Sequence, residues 1–373
     1  MSQSGIYSES KMAWWFSRER KLPDAPKQVH WILSDLCNED CSFCTYRVAG
    51  NPSNELFMSG SKAAAYGHDN PIRWIKTNRA LDLIDEMKSL GVLSIQWTGG
   101  GEPTVHPDHE EIFEKALELG IRGALVSNGY RWRDRIFGLI PLMDWIRVSV
   151  DAGTAETYSA IRRVPKAGFG KVLENIRTAA VSIASYQGSH TALGVGYTVT
   201  PDNWKEICLG VKVAKKAGAH NIRLSAMFGP EDEKPFVPIY DQIRALIGQA
   251  KALYQDDTFT IHDNFGSRFS DLEQHSPDYH VCPYQHYTTY IGGDCKVYRC
   301  CVLSYSRRGM VADGDLTNQR LDDYWRSESR KNDFANFDAT GCPKCMFNSK
   351  NRELLYVMGN TESDVKPRHM EWP

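Results

Sequence analysis

Gln28-Val29-His30-Trp31-Ile32-Leu33-Ser34 is followed almost at once by Cys37-Asn38-Glu39-Asp40-Cys41-Ser42-Phe43-Cys44. The first stretch is aromatic and β-branched, the composition of a buried strand. The second places three thiols at spacing Cys-x3-Cys-x2-Cys in the loop that leaves it. Thiolates so spaced can face one small cluster from a single loop. A structural zinc site wants four ligands, and only three lie close together here. Iron–sulfur clusters are held by Cys thiolates, usually four, so three would leave one iron open to an outside ligand. A structural zinc or iron–sulfur knuckle is the plainer alternative.

Outward from this stretch, strands and helices alternate. Val92–Trp97, Gly123–Ser127, Trp145–Val150, Ala192–Val199 and Asn221–Ser225 read as strands. Arg79–Leu90, His109–Leu119, Ala155–Arg162, Phe169–Ser185, Trp204–Ala217 and Pro238–Tyr254 carry helical spacing. Alternation of this kind implies a parallel sheet with right-handed crossovers. With the first strand there are six units, so the expected fold is α/β, a partial (β/α)6 TIM-like barrel. An open doubly wound sheet is the alternative. Residues 47–77 read as a long loop, in which Arg47, His68, Arg73 and Lys76 could shape or cover a pocket.

After Tyr254 the pattern changes. Ser267–His280 reads as polar loop, Tyr287–Ile291 and Lys296–Tyr298 as a hairpin around Gly292-Gly293-Asp294, and Leu321–Arg330 as a helix. Three parts result: an N-terminal extension over 1–27, the barrel over 28–264, and a small cysteine-organised domain over 265–373. In the extension, Trp14-Trp15-Phe16 runs into Ser17-Arg18-Glu19-Arg20-Lys21, a stretch suited to packing on the barrel or to docking a partner.

The 373 residues are 42% hydrophobic and 24% charged, an ordinary globular composition. A net charge of −2 gives no global field to hold nucleic acid or an anionic membrane, although a local basic patch would be compatible with it. No apolar run approaches the roughly 20 residues needed to span a bilayer, and the start lacks the shape of a secretory signal. A reducing cytoplasm is therefore expected, where ten clustered cysteines suit metal or redox chemistry better than disulfides.

Other motifs sit at strand ends, where ligands collect in parallel α/β architectures. Trp97-Thr98-Gly99-Gly100-Gly101-Glu102-Pro103 ends the second strand. Its glycines let the backbone approach a ligand closely, and a carboxylate there can pair with an ammonium. Ser127-Asn128-Gly129 ends the third strand, and reads equally as a plain Asn-Gly turn. Ser149 ends the fourth strand, with Asp151 just after it and Arg162 on the next helix. An arginine can clamp a carboxylate bidentately, while Asp151 can instead cap the helix that begins near Thr154. Thr198 and Ser225 lie at the ends of strands five and six, and Tyr46 lies just past Cys44.

Taken together, these residues resemble the radical S-adenosylmethionine (radical SAM) superfamily. Cys37, Cys41 and Cys44 match the cluster-binding signature, and Gly99-Gly100-Gly101-Glu102-Pro103 resembles the GGE-P motif that holds the SAM amino group. The resemblance implies a 4Fe–4S cluster whose open iron is chelated by SAM. The reduced cluster cleaves SAM to a 5′-deoxyadenosyl radical, which abstracts hydrogen from substrate. It further implies SAM-binding roles for Gly99, Gly100, Gly101, Glu102, Asn128, Ser149 and Arg162, with Thr198 and Tyr46 as candidates to wall the adenine.

The tail resembles the twitch form of the SPASM-like auxiliary-cluster domain. That likeness implies a second 4Fe–4S cluster on Cys282, Cys300, Cys342 and Cys345. A zinc ribbon from the same thiols is the alternative. Two departures stand out. The family usually has Gly where Cys295 stands, and Cys301 directly follows the expected ligand. Either neighbour can replace Cys300 or remain a free thiol, which makes Cys295 and Cys301 candidate hydrogen donors. Cys208, on an apolar helix face, reads as a small core residue.

The implied function is hydrogen abstraction giving oxidation, cross-linking or isomerisation or epimerisation of a peptide, small metabolite or nucleotide. An external reductant such as flavodoxin or ferredoxin is the implied partner. A non-catalytic iron–sulfur or zinc metalloprotein, serving as electron carrier or binding module, is the competing class.

Overall fold

A computed structural model describes residues 21–47, 74–305 and 310–359. Most of the 47–77 loop, including His68 and Arg73, lies outside the described residues, as does Trp14–Arg20.

Among the described residues ten strands form one sheet in the spatial order β10-β9-β8-β1-β2-β3-β4-β5-β6-β7. β1 (Gln28–Trp31), β2 (Ser94–Trp97), β3 (Arg122–Ser127), β4 (Trp145–Ser149), β5 (Ala192–Val199), β6 (Asn221–Ala226) and β7 (Thr260–Asp263) lie parallel in chain order. Helices form the crossovers between them, so all seven strand ends and the loops after them gather on one rim. The sheet does not close on itself, because β10 and β7 are its two edges.

The α/β parallel architecture is the one the alternation implies, with one strand more than the six expected. β7 is only four residues long and half-polar, Thr260-Ile261-His262-Asp263, too short for periodicity to register. Two local readings also change. Ser267–His280 is not simply loop: Phe265–Gln274 is a helix that buries Phe265, Phe269 and Leu272 at i, i+4, i+7. The expected helix Leu321–Arg330 is two, Leu321–Arg326 and Glu328–Ala335, separated by Ser327, whose side chain caps the second by accepting from Arg330 N.

The tail is continuous with the sheet. β8 (Thr288–Ile291) pairs with β1 in parallel, from Gln28 opposite Thr288 to Trp31 opposite Ile291. β8 and β9 (Lys296–Tyr298) form the expected antiparallel hairpin, and β10 (Met310–Asp315) adds to β9. The core runs through both regions. Trp31, Trp97, Phe113 and Trp325 are all buried, and Trp97 packs on Phe113 with ring centroids 4.3 Å apart. Among the described residues no helix is long and apolar enough to cross a membrane.

Candidate functional site: two thiol nests joined by the strand-end rim

The thiol loop is stitched to its neighbour by backbone. Gly101 N donates to Ser34 O at 3.1 Å, and Glu102 N donates to Leu36 O at 2.8 Å. A Cβ on Gly101 would stand 2.1 Å from Leu36 O and 2.5 Å from Ser34 O. Only glycine permits this approach, so Gly101 fixes how the exit of β1 lies against the exit of β2. Gly99 is equally confined, by the Gly101 carbonyl at 2.4 Å from a notional Cβ. Gly100, between them, is buried.

Glu102 is buried and faces inward. Its Oε1 accepts from Thr104 N (3.1 Å), Thr104 Oγ1 (2.8 Å) and Ser127 Oγ (2.8 Å), and Oε2 accepts from Asn128 N (2.8 Å). Burial raises its pKa against these bonds. The carboxylate, expected as a ligand for an ammonium, ties the loops after β2 and β3 together through these bonds. Asn128 extends the seam to the thiols. Its Nδ2 donates to Asn38 Oδ1 at 3.0 Å and lies 3.9 Å from Cys37 Sγ.

Arg162 is likewise committed within the protein. Nη1 donates to Glu39 Oε2 at 2.9 Å and to Cys41 Sγ at 3.4 Å, and Nη2 pairs with Asp151. Tyr158 Oη donates to the other Glu39 oxygen at 2.9 Å. Asp151, in the left-handed region at φ +59°, also accepts from Thr198 N at 2.5 Å. It does not cap the following helix. Thr154 does so, accepting from Thr157 N, while Glu206 accepts from Gly153 N, Thr154 N and both threonine hydroxyls. Ser149 is half-buried at the end of β4, opposite Gly196. Asn203, which composition did not single out, is fully buried and donates to both Asp151 O and Thr198 O at 2.8 Å. Glu39 was missed as well, although a carboxylate between two thiols in a loop meant to bury was a visible signal.

Burial pushes the Cys37 and Cys41 thiols up to about 12 and raises Cys44, with neighbouring thiols adding to the rise at Cys41. A bound metal must draw these protons off, so loading would be pH-dependent. Among the described residues no three His, Cys, Asp or Glu side chains converge closely enough for a single ion. A polynuclear cluster gives each thiolate its own iron.

The tail makes a second nest. On top of burial, Cys345 raises the thiols of Cys282, Cys300 and Cys301, Cys301 and Cys282 raise Cys300, and Cys342 raises Cys282. Polar side chains frame it. Cys282 Sγ lies 3.8 Å from Asn351 Oδ1, Tyr279 Oη lies 3.4 Å from Cys345 Sγ, and Tyr279 Oη bonds Asn348 and Asn351 at 3.0 Å each. Half-buried Arg268, on the helix read as loop, acts electrostatically on Cys301 and Cys345, and desolvation lowers its own pKa. Cys295 stands apart from the nest. It occupies the hairpin turn at φ +63°, with burial pushing its thiol up to about 12 and Arg79 pulling it down. Its left-handed backbone explains why glycine suits that position.

The nests meet at Tyr46. Its hydroxyl lies 2.5 Å from Tyr290 Oη, and Tyr290 Oη donates to Gly99 O at 3.2 Å. Tyr46 and Cys301 pack on the same cluster of Ile32, Tyr290, Tyr298 and Tyr305. Tyr46, expected near adenine, ties the cluster loop to the tail.

Residues 31–209 match the model of the Radical SAM superfamily. Over these residues the chain carries a radical SAM domain. The chain is 27% identical over 230 residues to the AdoMet-dependent heme synthase of Methanosarcina barkeri, covering 60% of this chain and 58% of the relative. It is 30% identical over 146 residues to the mycofactocin maturase MftC of Mycobacterium tuberculosis, covering 39% and 32%. The match thus spans about half or less of these relatives. The fold is shared with Streptococcus suis SuiB bound to its precursor peptide SuiA, at TM-score 0.58, 12% identity, and 88% and 71% coverage. The superfamily implies SAM and a 4Fe–4S cluster, and the donor set at the exit of β1 fits that cluster.

Proposed function

We propose that this protein is a radical SAM enzyme of oxidoreductase or isomerase type, which cleaves SAM reductively and abstracts hydrogen from a substrate. The observation that carries the reading is the stitching of the Cys37–Cys44 loop to Gly101 and Glu102. It puts three half-buried thiols and a glycine-walled turn at the ends of adjacent strands. When bound, a reduced 4Fe–4S cluster supplies the electron that breaks a carbon–sulfur bond of SAM.

Cys37, Cys41 and Cys44 would hold that cluster. Gly99, Gly100, Asn128, Ser149 and Thr198 line the same rim and would bind and orient SAM. The buried trio Glu39, Arg162 and Asp151 carries one net negative charge, which favours a cationic sulfonium over a neutral ligand. Cys282, Cys300, Cys342 and Cys345 would hold a second 4Fe–4S cluster, with cationic Arg268 offsetting its negative charge. Cys301 is the better placed candidate hydrogen donor, because it lies beside Tyr46 on the seam, whereas Cys295 sits in a turn beside Arg79. A peptide is the favoured substrate class, since SuiB shares the fold and was solved with one; a small metabolite or nucleotide is the alternative. The protein would work in the cytoplasm with flavodoxin or ferredoxin as reductant. A non-catalytic electron carrier or zinc module would need neither the glycine turn nor the Arg162 trio.

The test is anaerobic reconstitution followed by dithionite and SAM. 5′-Deoxyadenosine should form, and C37A, C41A or C44A should abolish it. A colourless, zinc-only protein that forms none would overturn the assignment.

A further inference from the structure

A 420 Å³ cavity opens against the Cys37–Cys44 loop, lined by Asn38, Tyr130, Arg131, Trp132, Arg133 and Lys171. Among the described residues, three exposed cations line it and no carboxylate does. The chain as a whole carries −2, so this local charge is set against a mildly negative background. Asn38 is the residue after Cys37, and Asn128 ties it there, 3.0 Å from Asn38 Oδ1 and 3.9 Å from Cys37 Sγ. The Asn38 side-chain nitrogen is itself buried with no hydrogen-bond partner. The cavity is therefore one residue from a thiol of the redox loop.

Its walls are held in place. Trp132 is buried and donates to Ser127 Oγ at 3.0 Å. Gly129, at φ +70°, offers its carbonyl to Asn175 Nδ2 at 2.7 Å. That leaves Arg131 and Arg133, two apart and both exposed, flanking the buried Trp132. Lys171, on the helix Ala167–Ser185, lies 4.6 Å from the Tyr130 ring centroid. That helix is part of the crossover from β4 to β5, and Tyr130–Arg133 follow β3, so the cavity lies beside the thiol loop on the β3 side of the rim.

We propose that this cleft is the docking site of an acidic electron-donor protein of the flavodoxin or ferredoxin class. The inference rests on the proposed function, because SAM cleavage needs one electron. That electron leaves the donor's reduced flavin or cluster, which is oxidised by one step, and enters the iron–sulfur cluster, which is reduced by one. No atom is transferred. Opposite charge on the two faces steers encounter and fixes register, and its effect fades with salt.

The experiment compares wild type, R131E/R133E and an equal charge change elsewhere, K212E/K216E, as anaerobic reconstituted protein. Two quantities are read: the affinity for a bacterial flavodoxin by titration, and 5′-deoxyadenosine formation driven either by photoreduced flavodoxin or by dithionite. R131E/R133E should weaken flavodoxin binding and slow the flavodoxin-driven rate by about tenfold or more at about 0.05 M salt, with the gap narrowing near 0.5 M. Dithionite-driven rates should match wild type, K212E/K216E should behave as wild type, and R131Q/R133Q should show a smaller loss of the same sign. Flavodoxin binding within twofold of wild type would overturn the docking site, as would an equal loss in the control pair. So would loss of substrate turnover with flavodoxin binding intact, which would assign the cleft to an anionic substrate or nucleic acid. Dithionite inactivity of the wild type would sink the proposed function instead, and the affinity alone would then decide the docking site.

Discussion

Arg162 lies between Glu39 and Asp151, pairing with both carboxylates while its Nη1 reaches Cys41 Sγ. All three charged side chains are almost fully buried. Removing one partner of a buried ion pair leaves an uncompensated charge, at a cost of about 3–5 kcal/mol. R162A should lower the unfolding free energy by that amount, whereas combining R162M with E39Q and D151N should cost less than R162A alone. Chemical denaturation of the three proteins checks the ordering.

Gly101 is confined more tightly than any side chain allows. G101A would press a methyl into the carbonyls of Leu36 and Ser34 and push the β1 exit away from the GGGEP turn. Iron retained per chain should fall together with SAM affinity, while far-UV circular dichroism stays near wild type. Full iron loading of G101A would refute the idea that this contact sets the thiol loop.

Cys295 and the tail nest separate cleanly. At φ +63° a non-glycine residue carries roughly 1 kcal/mol of strain. C295G should therefore hold or raise the melting temperature and keep its full iron. C345A should lose about four irons per chain if the nest holds a 4Fe–4S cluster. Equal iron in C345A and wild type would remove the auxiliary centre.

Acid should destabilise this protein from pH 6.5 downward. Burial lowers the pKa of His30 to about 3 and that of His286 to about 4, with cationic neighbours adding to both. A lowered folded pKa means that stability is complete above 6.5 and is lost as pH falls toward the folded value. Each such histidine then costs about 1.4 kcal/mol per pH unit below 6.5, an upper figure for partly exposed rings. H30Q should flatten the slope of unfolding free energy against pH between 6.5 and 5 by about one proton.

The sequence made the rim visible and hid its wiring. Three thiols, a glycine turn, an Asn-Gly turn and a strand-end Ser each break local periodicity, so they stand out in a linear reading. What joins them is long-range. Glu102 reaching Asn128, Asn203 reaching Asp151, and Tyr46 reaching Tyr290 across 244 positions leave no local pattern. The same holds for β7, whose four residues pair only because β6 presents an open edge, and for Arg268, whose helix is amphipathic yet polar enough to resemble loop. Glu102 and Arg162 also show that residue type fixes chemistry before it fixes a partner: Glu102 accepts from Thr104, Ser127 and Asn128, and Arg162 pairs with Glu39 and Asp151 while its buried Nε has no partner among the described residues.

β1 has neighbours made at very different times. It is among the first strands to leave the ribosome, and β2 follows some sixty residues later, but Thr288–Ile291, which covers its other side, comes only after Asp263 and the whole parallel array. Until then the nascent chain displays an unpaired edge beside its reactive cysteines, the condition under which strands recruit wrong partners. Heterologous production should thus depend on slow translation or chaperone supply more than the ordinary composition suggests, and a chain halted before the hairpin should go to inclusion bodies.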